Sequence, residues 1–181
     1  MAKFYDTLSP ELQEFIHNQK IFFTGTAAAE GRINVSPKGM NSLKVLGPDK
    51  LIWLNLTGSG NETAAHIRQV NRLTLMWCAF EGKPLILRVY GSARAIHPGQ
   101  EQWEEYLDHF TETAGARQVF EVQIESVQTS CGFAVPYMDY KEDRPILKDW
   151  AEKAGKEGVK EYWGKKNVTS IDGLETGIFD Q

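Results

Sequence analysis

The sequence predicts a mainly β domain, an antiparallel barrel with a few cover helices. Three observations carry that expectation. Six or seven short segments rich in Val, Ile, Leu, Phe and Trp recur at close spacing. Most are joined by turn-forming residues, with only a few helices between them, a pattern of antiparallel pairing rather than of βαβ units. Neither GxGxxG nor GxxxxGK(S/T) occurs, so nothing points to a doubly wound nucleotide-binding sheet or a P-loop.

The 181 residues are 41% hydrophobic and include five Trp, six Tyr and nine Phe, enough to fill one sizeable core. The expectation is a single domain over 1–181, with its core at about 20–130 and C-terminal helices and a tail at 141–181. A net charge of -4 with dispersed basic residues gives no footprint for nucleic acid. No run of about 18 apolar residues offers a membrane span. Cys78 and Cys131 lack CxxC spacing and no His cluster accompanies them, so no metal site is expected and a reduced, cytoplasmic setting is the simple reading.

In chain order, Ser9-Pro10-Glu11 starts a helix as N-cap, first-position proline and first-turn acid, and Leu12, Phe15 and Ile16 give it one apolar face. It should end near Lys20. Ile21–Thr26 reads as a strand. Arg32–Ser36 alternates, with Ile33 and Val35 on one side, and Pro37, which has no N–H, should stop the ladder. Leu43–Leu46 and Leu51–Leu56 are strands around the turn Gly47-Pro48-Asp49. Asn61 caps a helix to Val70. Leu73–Phe80 and Leu85–Ile96 form a hairpin, with Gly91 marking a bulge or a close approach. A helix is expected over Gln100–Phe110 and a strand over Gln118–Val127. Ser130–Tyr140 is broken by glycine and proline and reads as loop. Short helices at Pro145–Lys153 and Lys156–Trp163 precede a polar tail from Asn167, expected to lie on the surface.

Two polar, glycine-marked turns stand out, Ser36-Pro37-Lys38-Gly39 and Thr57-Gly58-Ser59-Gly60-Asn61-Glu62-Thr63. Lys38 supplies a compact positive charge. Ser59, Asn61 and Thr63 surround a helix start, whose free N–H groups and dipole favour an anion. Together they make a plausible phosphate cup, provided that Glu62 points away. The alternative is a solvated strand-end lysine beside an ordinary capped helix.

The order strand–SPKG–strand–strand–TGSGNET-helix–NRLTLMW–EGKPLILRVYGSARAI, over about Phe22–Ile96, resembles the FMN-binding split-barrel family of pyridoxamine 5′-phosphate oxidase, and SCGFAVPYMDY resembles a subgroup of its small relatives. The resemblance implies a split β-barrel and a homodimer with FMN at the interface. It places backbone groups of Asn34, Val35 and Ser36 along the isoalloxazine, and the cofactor phosphate near Lys38, Ser59, Asn61 and Thr63. Arg88, in RVYGSA, falls where the family often has a polar or basic residue near the flavin. The family's oxidases carry Ser-Arg-Lys where this chain has Asn61-Glu62-Thr63, and end in an Arg-rich segment where this chain ends in acidic IDGLETGIFDQ. The expected activity is therefore an FMN-dependent oxidoreduction on another small molecule, with no catalytic residue assigned. A flavin carrier or stress-linked protein with little turnover, or a relative binding haem or the deazaflavin F420, are the alternatives.

Cys131, beside Gly132, could line a cofactor pocket, with Phe133, Tyr137 and Tyr140 near a flat ring; a small buried hydrophobe is the plainer reading. Cys78 reads as core. His66 could approach the phosphate but reads first as a surface residue, and His17, His97 and His109 show no ligand spacing.

Overall fold

A computed structural model describes residues 2–111 and 113–180. Eight strands, β1 (Lys3–Tyr5), β2 (Phe22–Thr26), β3 (Asn34–Lys38), β4 (Leu43–Val45), β5 (Lys50–Leu56), β6 (Leu73–Cys78), β7 (Ile86–Ile96) and β8 (Ala116–Ser130), make one antiparallel sheet. Its strand order is β3-β2-β6-β7-β8-β5-β4, and β1 pairs with the far half of β8. Helices α1 (Pro10–Asn18), α2 (Glu62–Gln69), α3 (Trp103–Leu107) and α4 (Ile146–Lys166) surround it. The sheet is curled into a split half-barrel, the mainly β architecture that the strand spacing predicts.

The two long strands β7 and β8 form the backbone of the sheet, paired from Ile86↔Ser130 to Ile96↔Val119. Their register shifts between Tyr90 and Gly91. A Cβ at Gly91 would lie 2.0 Å from the Gln123 carbonyl oxygen, so only glycine fits that approach. The sheet has a core on each face. One holds Phe22, Trp53, Trp77, Phe120 and the aliphatic residues between them. Trp53 stacks on Phe120 with ring centroids 4.8 Å apart, a contact worth about 1 kcal/mol beyond its buried area. The other packs Ile52, Leu54 and Val119 against Trp103, Tyr106 and Phe110 around α3.

Several sequence expectations change. β3 runs through Pro37, which faces Phe23 across the ladder. This is tolerated because β3 is an end strand, so the missing N–H leaves no second neighbour unpaired. Helix α3 is only Trp103–Leu107, and β8 begins at Ala116, two residues before the expected start. β1, three exposed residues without an apolar pattern, has no local signal. Gly155, at φ 65, breaks α4 into two helices, as expected. The tail is docked rather than merely superficial: Asn167, Ser170, Thr176 and Ile178 are buried, and 168–176 folds back as a small hairpin. Cys78 is half-buried rather than fully in the core.

Candidate functional site

The two polar turns meet in one cleft of about 760 Å³. Asn34, Ser36 and Lys38 come from β3, at one end of the sheet. Ser59, Asn61 and Thr63 come from the turn after β5 and the start of α2, and Trp53 and Asn55 of β5 form the wall between. The cleft therefore lies where the ends of the strand path approach each other, at the split of the half-barrel.

One wall is a hydrogen-bonded chain. Ser36 Oγ donates to Asn34 Oδ1 at 2.9 Å, and Asn34 Nδ2 donates to Thr26 Oγ1 at 3.0 Å and to Thr63 Oγ1 at 3.2 Å. Thr26 Oγ1 in turn bonds His66 Nδ1 at 3.1 Å. His66 is 1% exposed, contrary to the surface reading: it sits on the inner face of α2, which packs against β2. Asn61 occupies the N-cap position of α2 but its side chain makes no capping bond. Its Oδ1 accepts from Gln118 Nε2 at 2.9 Å, tying the helix start to β8. The first-turn N–H groups of α2 thus lack a side-chain cap from Asn61, which suits an anion placed there.

The charges are uneven. Among the described residues, Lys38, Arg117 and Lys166 line the cleft against a single carboxylate, Glu62. Both Glu62 oxygens accept from the Ile171 N–H at 3.1 Å, so the acid faces the C-terminal segment. Lys38 Nζ stands 5.3 Å from the Trp53 ring centroid. Burial, followed by the neighbouring Arg117 charge, pushes its pKa down from 10.5 to about 8. Arg117 is 2% exposed, and burial lowers even its guanidinium to about 10. No ion pair reaches Lys38 or Arg117 among the described residues. Among the described residues, Arg117 Nε and Trp53 Nε1 are buried donors without an acceptor. Unpaired buried N–H donors and unneutralised cations are costly unless a ligand completes them.

Of the residues singled out in the sequence, Asn34, Ser36, Lys38, Ser59, Asn61 and Thr63 share this cleft. Val35, Arg88 and Cys131 do not line it. Val35 points outward from the edge strand, and Cys131 is exposed after the end of β8. Arg88 lies in mid-sheet opposite Gln128, with Nη1 3.3 Å from Ser130 Oγ. No histidine lines the cleft, and no group of three or more metal-ligating residues occurs among the described residues. A second groove of about 960 Å³ shares Pro37, Lys38 and Gly39. There Glu81, Asp139, Glu142 and Asp143 offset the basic residues, so it offers an anion no comparable preference.

Sequence reading missed Arg117 and the C-terminal wall, Lys166–Ile171. The trace of Arg117 is faint: Arg117-Gln118 puts two polar residues in succession where β8 should alternate, a mark of a bulge. Nothing in the polar tail announces its contacts.

Comparison with known proteins agrees with the architecture. A family profile described as "Pyridoxamine 5′-phosphate oxidase" matches residues 8–131. The chain is 36% identical over 192 aligned positions to the pyridoxamine 5′-phosphate oxidase family protein ustO of Aspergillus flavus, covering 96% of this chain and 77% of that one. Among solved structures, a candidate pyridoxamine 5′-phosphate oxidase of Lactobacillus delbrueckii superposes with a TM-score of 0.54 at 25% identity, over 68% of this chain and 94% of its own. HutZ, a haem storage protein of Vibrio cholerae, superposes at 0.50 with 19% identity, over 70% and 97%, and shares the fold alone. No helix among the described residues is long and apolar enough to cross a membrane. By profile and by sequence identity, the chain belongs to the pyridoxamine 5′-phosphate oxidase family.

Proposed function

We propose that the cleft holds FMN and that the protein is an FMN-dependent oxidoreductase acting on a small molecule other than pyridoxamine phosphate. The observation that carries this reading is the charge arrangement. Among the described residues, a cleft with room for a flavin has three cations against one engaged carboxylate, and a helix start without a side-chain cap at its edge. The phosphate belongs near Lys38, Ser59, Asn61 and Thr63, and the ring along the Asn34–Ser36 backbone. Asn34, tied at once to Thr26, Thr63 and Ser36, would keep that wall rigid. Flavin, when bound, supplies the hydride and electron transfer, and the protein supplies binding, orientation and the electrostatic setting. The lack of a histidine in the cleft favours flavin over haem.

Part of the same proposal is a homodimer with the cofactor at its interface. Val35 on the edge strand and Ile33 just before it are 68% and 75% exposed, and Phe133 and Tyr137 beyond β8 are 83% and 82% exposed. Apolar surface on this scale marks a contact region. The Val35 side chain, Arg88 and Cys131 would reach a cofactor only across such an interface, whereas the Val35 backbone stays with its neighbours along the ring. The two unpaired cysteines suit a reduced, cytoplasmic setting.

The test is a titration of cofactor-free protein with FMN. Flavin fluorescence should be quenched on uptake, and riboflavin, lacking the phosphate, should bind more weakly. Bleaching of the bound flavin by NAD(P)H without oxygen would separate an enzyme from a carrier. No uptake of FMN, or a Soret band in the purified protein, would overturn the flavin reading.

A further inference from the structure

Arg117 owes its position to a defect in the sheet. Strand β5 pairs with β8 at Trp53↔Phe120, Leu54↔Val119 and Asn55↔Gln118, but the next pair is Leu56↔Ala116. One residue of β8 is skipped, and it is Arg117. Ala116 therefore takes the apolar place beside Leu56, against the α3 core. In an unbroken ladder the alternation would put Arg117 there, on the face of Val119. The bulge instead frees its side chain to turn into the cleft.

The guanidinium is then held from behind. Nη1 donates to the Gly60 carbonyl at 2.9 Å and to Asn167 Oδ1 at 2.8 Å. Asn167 is fully buried, and its own Nδ2 donates to the Gly58 carbonyl at 3.1 Å. Its carbonyl accepts from Thr176 Oγ1 at 2.6 Å, which closes the C-terminal hairpin. These acceptors are all neutral. Nε, buried, has no acceptor among the described residues. Tyr162 is the neighbour that favours the charge, and no carboxylate among the described residues pairs with the guanidinium; a fold that merely needed to fill this space would not bury a guanidinium so weakly balanced.

The geometry points to Arg117 as the residue that makes the cleft select a dianionic, phosphate-type group, with Asn167 of the C-terminal segment as its positioning residue. The identity of the molecule bearing that group rests on the flavin reading; the charge requirement rests on the bulge and on the unfilled donor. The C-terminal segment becomes a working wall of the site, because it orients the guanidinium.

The experiment compares FMN, riboflavin and inorganic phosphate on the full chain. Arg117→Met should weaken FMN by about 10- to 100-fold, the loss expected for a charge-assisted contact, and leave riboflavin nearly unchanged, so that the preference for FMN collapses. Arg117→Lys, which keeps the charge and loses the fork, should recover part of the preference and serves if Arg117→Met fails to fold. Asn167→Ala should lower the FMN-to-riboflavin ratio in the same direction by a smaller factor, whereas a merely structural role would weaken both flavins alike. An unchanged ratio in a folded Arg117 variant overturns the proposal and leaves the flavin reading intact. If the wild type takes up no flavin but is thermally stabilised by inorganic phosphate, and Arg117→Met loses that effect while Arg117→Lys keeps part of it, the charge selection stands and the flavin reading falls. No effect of phosphate and no flavin uptake overturns both.

Discussion

Lys38→Met should make the cofactor-free protein more stable while weakening its ligand. In the unfolded chain Lys38 holds its proton up to its ordinary value of 10.5; in the folded apo-protein it holds it only up to about 8. The difference corresponds to about 3 kcal/mol against the folded state. The sign follows from the protons bound. Between pH 8 and 10.5 the unfolded chain binds more, so this group makes stability rise with pH. Below 8 the penalty is present in full, and above 10.5 it is gone. Methionine keeps most of the stem but removes the charge. It also gives up the ammonium's contact with the Trp53 ring at 5.3 Å, about 0.5–1 kcal/mol. The net gain at pH 7 is about 2 kcal/mol, or roughly 4–8 °C in Tm for a domain of this size. Urea denaturation of both proteins without cofactor, at pH 7 and pH 10, measures it. The advantage of the variant should shrink towards pH 10, and its FMN affinity should be about 10- to 100-fold lower. A variant no more stable than the wild type at pH 7, with a difference that does not change with pH, would refute the claim that the cleft carries an uncompensated charge.

Gly91→Ala should be among the most damaging single-methyl changes in the chain, since its Cβ meets the Gln123 carbonyl at 2.0 Å in the central strand pair; a loss of at least about 3 kcal/mol by chemical denaturation is expected, and a loss under 1 kcal/mol would mean that the pairing shifts easily. Asp172 ties the C-terminal hairpin to Arg32, accepting from its backbone N–H at 2.7 Å and from its guanidinium. The Arg32 backbone N–H, more than the Arg32 charge, lowers the Asp172 carboxyl below its usual value, so the latch persists at neutral pH and is lost only as pH falls through that lowered value. Asp172→Asn should therefore speed FMN release about 2- to 10-fold, with little change from pH 6 to 8 in the wild type; an unaltered release rate would deny the hairpin a part in the wall. Light scattering should give a dimer, and a monomer at micromolar concentration would argue against the interface proposal.

The fold was legible because its elements are marked locally. Ser9-Pro10 does cap α1, with Ser9 Oγ accepting from the Leu12 N–H at 3.4 Å, and Gly91 does sit at a register shift. The misreadings share a cause, which is that the deciding neighbour was distant. Pro37 looked like a strand stop because its position at the end of the sheet could not be seen from its surroundings. His66 looked exposed because the inner face of α2 is set by β2, forty residues earlier. The tail looked superficial because its composition is polar, yet its polar groups are what bind the Gly58–Glu62 turn and Arg32.

The site divides along the same line. Lys38 and the Ser59–Thr63 turn announce themselves, because glycines, a helix start and a strand-end cation are short-range signals of an anion site. Arg117 does not, because its role depends on one skipped pairing between strands more than fifty residues apart. Without the bulge, the same sequence would bury a guanidinium in the apolar cluster around Trp103 and Phe110, at a cost no neighbouring group offsets. With it, the guanidinium joins Lys38 in a cleft that the apo-protein leaves electrostatically unbalanced. That imbalance links the two substitutions. If the cleft is built for a dianion, removing either cation should relieve the apo-protein of charge and impair binding of FMN more than binding of riboflavin. A structural role for Arg117 predicts the opposite pairing, a loss of apo stability with no change in the preference between the two flavins.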